Sequence, residues 1–364
     1  MSKHVKNDKI NMQRYLFLIL KYRKGVIHMK REQWNTREKR REAERNTNQL
    51  AELLKILNHF FPDLRIQLLN VKDPRKKNYT TYETDVILLE RILAYIFGVS
   101  SMNEITERFN TEEALANFVL LARRHKLSSL PHGDTVNDFL EELEPEEIEK
   151  IRNNMVKRLI KMRCFDEYKY LGKYWKLIFD GSGIYKFDKR HCPHCLTKTY
   201  NKGTENEKTE YFHYVLECKL VVGEMAISLA TEFIENPEEN IEKQDCELKA
   251  FYRLEKKVKD KYPRLPICVL LDSEYACQQV LEICRKNKWE YIIRFKAGSI
   301  PTVAEEFEKL KEYDKNITIE ENGKIYRYVN DIEYKGHKVN VIEMEEPKKK
   351  YPFRIYGEEK SKYR

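Results

Sequence analysis

A change of period at Tyr174 constrains this chain more than any other feature. Upstream, apolar residues recur every three or four positions; downstream they come in short, nearly unbroken or alternating runs. A spacing near 3.6 predicts helices with one buried stripe, and a spacing of two, or a short continuous apolar run, predicts strands. The chain is therefore expected to fold as an all-helical part followed by an α/β part with a mixed sheet. Its 364 residues correspond to two or three domains at roughly 100–200 residues each.

The helical part punctuates itself. A helix is predicted from Lys30 to Phe61, with Leu50, Leu53, Leu54 and Leu57 on one face and Pro62 as its stop. After the polar connector Asp73-Pro74-Arg75-Lys76-Lys77, a second runs from about Tyr82 to Phe97, burying Val86, Leu89, Leu93 and Ile96, with Gly98 at its end. Shorter helices are expected around Met102–Arg108 and Glu112–Arg124. Leu130-Pro131-His132-Gly133-Asp134-Thr135 is a turn that ends in helix-capping residues. Pro145 sits in the first turn of another helix, where its missing N–H costs nothing; Ile148, Ile151, Met155, Leu159 and Met162 line its stripe. Residues 1–28 show no clear pattern, and Met29 is an alternative start.

In the second part, Trp175-Lys176-Leu177-Ile178-Phe179 reads as a buried strand ending at Asp180-Gly181-Ser182-Gly183. Two strands, Tyr211–Val222 and Met225–Ile234, join through Gly223-Glu224 as a hairpin. A helix over Asp245–Lys261, a strand over Ile267–Leu271 ending in Asp272, a helix over Tyr275–Lys286 and a strand over Trp289–Phe295 complete a β-β-β-α-β-α-β order. Beyond Glu305 the pattern is antiparallel: Ile317–Ile319, an Asn322-Gly323 turn, Lys324–Ile332 and Lys338–Met344.

Charge is concentrated at one end. Residues 1–50 hold 14 Lys/Arg against 5 Asp/Glu, which is the whole of the chain's net +9. A basic arm is the electrostatic footprint of a polyanion partner, or else a solvated tail. With 41% hydrophobic residues the chain can bury a core, so wholesale disorder is excluded. The nearest candidate run, Tyr15–Leu20, is too short for a membrane helix or a secretory signal. A soluble cytoplasmic protein with no membrane partner is expected. Eight cysteines in this length do not suggest a secreted disulfide framework.

Asp180 and Asp272 occupy equivalent places, each the first polar residue after a buried apolar strand. In an open α/β sheet, ligands bind beyond the carboxyl ends of strands. If the two strands are parallel neighbours, the carboxylates converge there, and like charges that close call for a cation. Hard oxygen ligands suit Mg²⁺ or Mn²⁺, the ions of phosphoryl transfer. The alternative is that each Asp only starts a turn or caps the next helix, as Asp272 before Ser273-Glu274-Tyr275 can.

Cys192-Pro193-His194-Cys195, flanked by His191, is half a zinc site by spacing. His213 or Cys218 on the following strand, or His191 and His194 locally, are the candidates to complete it. A reduced loop pair and a redox motif are the competing readings, and His213 also fits a satisfied core histidine.

The strings Phe179-Asp180-Gly181-Ser182-Gly183 and His191-Cys192-Pro193-His194-Cys195-Leu196 resemble bacterial insertion-sequence transposases of the DDE type. So do Tyr211-Phe212-His213, Lys243-Gln244-Asp245-Cys246-Glu247, Leu271-Asp272 and Tyr291-Ile292-Ile293-Arg294-Phe295-Lys296, with the turn at Leu130–Thr135 upstream. The resemblance spans about residues 80 to 310, and is to the group whose RNase H-like core carries a β-rich insertion before its last catalytic helix. It implies that Asp180 and Asp272 are the first two catalytic carboxylates, holding Mg²⁺ (or Mn²⁺) for cleavage of a DNA phosphodiester and strand transfer. It implies double-stranded DNA as partner, both transposon ends and target, a homodimer in a synaptic complex, and association with the nucleoid. The division expected is 1–78 basic arm and helix, 79–170 helical DNA-binding region, 171–310 catalytic core and 311–364 antiparallel β insertion. The family's third carboxylate, a Glu on a helix after that insertion, has no match: Glu358 and Glu359 lack its surrounding pattern, so the chain looks truncated. A catalytically inactive DNA-binding remnant and a structural zinc module are the alternative functions.

Overall fold

The structure is a computed structural model; it describes residues 49–357, apart from 77, 79, 100, 124–126, 238–242, 314–317, 347–348 and 351–353. The basic segment 1–48 and Glu358 and Glu359 lie outside the described residues. Two compact units divide the chain between Cys164 and Phe165.

In the first unit, α1 (Gln49–Phe60), α2 (Leu64–Leu69), α3 (Thr84–Ile96), α4 (Met102–Phe109), α5 (Glu112–Ala122), α6 (Gly133–Glu142) and α7 (Pro145–Lys161) enclose one core. Helix α3 is central: Val86, Ile87, Leu88 and Leu89 are all buried in succession, as expected of a helix covered all round. Its first residue, Thr84, donates its hydroxyl to the carbonyls of Leu68 and Leu69 at the end of α2. Ser101 and Thr111 cap α4 and α5 by accepting the N–H of Glu104 and Ala114. The Pro131-His132-Gly133 turn has a packing cause. Gly133 donates its N–H to Thr106 Oγ1 at 2.9 Å, and a Cβ on Gly133 would stand 2.1 Å from the carbonyl oxygen of Met102. Only glycine lets α6 start against α4.

The second unit holds β1 (Trp175–Phe187), β2 (Leu196–Tyr200), β3 (Lys208–Val222), β4 (Met225–Ile234), α8 (Glu247–Lys261), β5 (Ile267–Leu271), α9 (Gln278–Asn287), β6 (Glu290–Arg294) and α10 (Pro301–Tyr313). It continues with β7 (Thr318–Glu321), β8 (Lys324–Tyr334), β9 (His337–Glu346), β10 (Lys349–Lys350) and β11 (Arg354–Gly357). The fold class of this unit is mixed α/β, with a mixed sheet. Strands β4, β3 and β1 are antiparallel neighbours, while β1, β5 and β6 are parallel, giving the order β4-β3-β1-β5-β6. Helices α8 and α9 supply the crossovers that a parallel pair needs.

Helix α2 and strand β2 stand where the sequence pattern predicts none, and three further features depart from the expectation. Strand β1 does not end at Asp180 but runs on to Phe187, because the long β3 pairs with it antiparallel along that whole extension. Helix α10 stands where no helix is expected, although Val303, Ala304 and Phe307 have the spacing of a buried helical stripe. The C-terminal hairpins are continuous with the sheet: β11 pairs antiparallel with both β6 and β9 and extends the order to β6-β11-β9-β8-β7. The Asn322-Gly323 turn joins β7 to β8 with both residues at positive φ, as a tight hairpin requires.

Candidate functional site

Strands β1 and β5 run parallel in register from Trp175 opposite Ile267 to Ile178 opposite Leu270. Asp180 and Asp272 each follow two residues later, so continuing that register sets them opposite one another. Alternation puts both on the face of Ile178 and Leu270, which is only partly covered, while Leu177, Phe179, Val269 and Leu271 are buried. Adjacent strands lie about 4.8 Å apart. Both aspartates are exposed. Asp272 Oδ1 accepts the Ser273 N–H at 2.6 Å and caps the 3₁₀ turn Ser273–Tyr275. The capping role and the place at the strand end therefore coexist.

A third carboxylate stands at the same strand end, and sequence reasoning did not single it out. Glu247, first residue of α8, accepts the Tyr275 hydroxyl on Oε1 at 2.6 Å. A Cβ on Gly181 would lie 2.5 Å from Glu247 Oε2, so glycine beside Asp180 makes the approach sterically possible. Four residues on, Phe251 shares Glu247's face of α8 and packs edge-on against Phe179 of β1 and against Tyr275. This aromatic set, fully buried at Phe251, aims the start of α8 at Gly181 from the face opposite Asp180. Burial, then the bond to Glu247 and the charges of Glu247, Glu274 and Asp180, hold the Tyr275 phenol well above its ordinary range. It remains a hydrogen-bond donor at any physiological pH. Oxygen donors of this kind fit a hard divalent cation rather than a soft one. The sequence signals for Glu247 were its place near the head of a helix and at the end of the string Lys243-Gln244-Asp245-Cys246-Glu247.

Cys192, Cys195 and His213 do come together: their ligand atoms lie within 4.8 Å of one another, the one such group among the described residues. Cys218, the alternative donor, does not join them. It lies opposite Phe179 in β3, fully buried in the core. His191 stacks on Phe187, and His194 Nδ1 lies 2.7 Å from the Asn236 carbonyl. Asn236 gave no sequence signal, yet it is buried and binds the turn twice more, through its N–H to the His194 carbonyl and its Nδ2 to the Cys195 carbonyl.

Comparison with known families places one match on the helical unit. The DDE_Tnp_1-associated family matches residues 66–155, from α2 into α7. The chain is a relative of the DDE-family transposases. No curated protein matches it. None of the described helices is long and apolar enough to cross a membrane.

Proposed function

We propose that this transposase relative binds the ends of an insertion sequence and carries out metal-dependent DNA cleavage and strand transfer, with an RNase H-like core as the catalytic unit. The observation that carries the proposal is the parallel register of β1 and β5, which, continued two residues past Ile178 and Leu270, sets Asp180 opposite Asp272. The β4-β3-β1-β5-β6 order with its α8 and α9 crossovers supports the RNase H-like reading. Asp180 and Asp272 would hold Mg²⁺ or Mn²⁺, which when bound neutralises phosphate charge and activates a water or 3′-hydroxyl. Glu247, held beside Gly181 by Tyr275, is a further carboxylate near this strand end.

The remaining chemistry falls to the chain itself. The Ser273 N–H fixes one oxygen of Asp272. Tyr275 restrains Glu247 by a buried hydroxyl bond. Double-stranded DNA would meet the basic arm and the helical unit mainly through phosphate contacts, which fix position without reading sequence. Two copies acting on two element ends make a homodimer the expected working form.

The test is Mg²⁺-dependent nicking of a duplex carrying the element's ends by the full chain. Cleavage is expected, and Asp180→Asn or Asp272→Asn is expected to abolish it without lowering DNA affinity. Cleavage that survives both substitutions refutes the site. Tight DNA binding with no cleavage by the unsubstituted chain assigns it instead as a DNA-binding remnant.

A further inference from the structure

We propose that Cys192, Cys195 and His213 form a zinc site that staples the Cys192–Cys195 turn to β3, separate from the carboxylates. The two sulfurs are 3.7 Å apart, and His213 Nε2 is 3.4 Å from each. Zn–S bonds of about 2.3 Å and a Zn–N bond of about 2.05 Å, in a tetrahedron, require edges of about 3.8 Å and about 3.6 Å. Three donors thus already mark three corners of a zinc tetrahedron.

Neither a disulfide nor plain hydrogen bonding accounts for the cluster. A disulfide needs sulfurs about 2.05 Å apart, far closer than the 3.7 Å here. A neutral imidazole nitrogen carries either one hydrogen or one lone pair, so it satisfies one thiol and not two. A cation satisfies all three donors at once, and two thiolates select a soft ion such as zinc over magnesium. Binding releases the two thiol protons to solvent.

The turn is also built for the purpose. Cys195 is fully buried, and its N–H closes back on the Cys192 carbonyl. Buried Asn236 clamps the turn by its N–H and side-chain amide, and its carbonyl faces His194. Outer groups of this kind orient metal ligands before the ion arrives. His213 pairs with Tyr185 across β3 and β1, so the staple anchors the stretch of β1 that lies beyond Asp180.

The experiment uses the full chain, purified reduced, exposed to zinc and passed through gel filtration before elemental analysis. One zinc per chain is expected. Cobalt(II) in its place should give the intense visible bands of a tetrahedral site and a sulfur-to-cobalt charge-transfer band. Cys192→Ser, at the half-buried position, should weaken zinc binding by more than about a hundredfold and remove that charge-transfer intensity while far-UV circular dichroism is unchanged. His213→Ala should do the same and serves if Cys192→Ser fails to fold. The proposal falls if the folded, reduced chain holds no more zinc than either variant, or if mass analysis finds the two cysteines joined as a disulfide. Neither readout depends on DNA cleavage.

Discussion

Glu90 offers a sharp test of the helical unit. It lies in α3 with no exposed surface, and neither carboxylate oxygen has a hydrogen-bond partner among the described residues. Burial without compensation pushes its pKa from 4.5 up to about 8. A carboxyl whose folded pKa lies above its unfolded value stabilises the fold fully below about pH 4.5, and loses that contribution as pH rises through about 8. At about 1.4 kcal/mol per tenfold, the difference between pH 5 and pH 8 is about 3 kcal/mol. Glu90→Gln keeps the shape and removes the titration. Amide exchange in α3, compared between the two proteins at each pH, reads the local stability and cancels the intrinsic pH dependence of exchange. The variant should gain on the unsubstituted chain by about 3 kcal/mol, or roughly a hundredfold in relative protection, between pH 5 and pH 8. A ratio that stays constant across that range would mean that the carboxyl is solvated or paired, and would overturn the reasoning.

Three further outcomes are expected. Gly181→Ala forces a methyl group to within 2.5 Å of Glu247 Oε2; it should displace that carboxylate and cut Mg²⁺-dependent nicking about tenfold or more. Tyr275→Phe, by freeing Glu247, should make the added methyl group less destabilising, which a double-mutant cycle measures. Removing residues 1–48 should flatten the plot of log DNA affinity against log salt, by about 0.9 for each phosphate that the arm neutralises. An unchanged slope would place the DNA-binding cations elsewhere on the chain.

What the sequence discloses, and what it hides, follows from how far each signal reaches along the chain. Val86, Leu89 and Leu93 announce α3 because their helical spacing is written within four turns, although the structure buries the helix all round rather than along one stripe. Asp180 and Asp272 are visible as the first polar residues after runs buried on both faces. The parallel pairing of β1 with β5, whose register continued two residues sets them opposite, was not, since pairing between strands some ninety residues apart is decided by tertiary packing. The same limit explains β1: its apolar run stops at Phe179, but ladder bonds to β3 carry the strand through polar residues to Phe187. The Cys pair shows its spacing locally, whereas His213 is one of several candidates until β2 and β3 pair and exclude Cys218.

Glu247 is the instructive omission. On the chain it closes the string Lys243-Gln244-Asp245-Cys246-Glu247, but nothing in that string assigns the acid a place in a site. It acquires meaning only because α8 crosses from β4 to β5 and packs Phe251 between Phe179 and Tyr275. That crossover delivers the first turn of α8 to Gly181, the one position beside Asp180 where the absence of a side chain leaves room. The carboxylate that stands against Gly181 is thus supplied by the crossover connection, at a glycine whose neighbour drew all the attention.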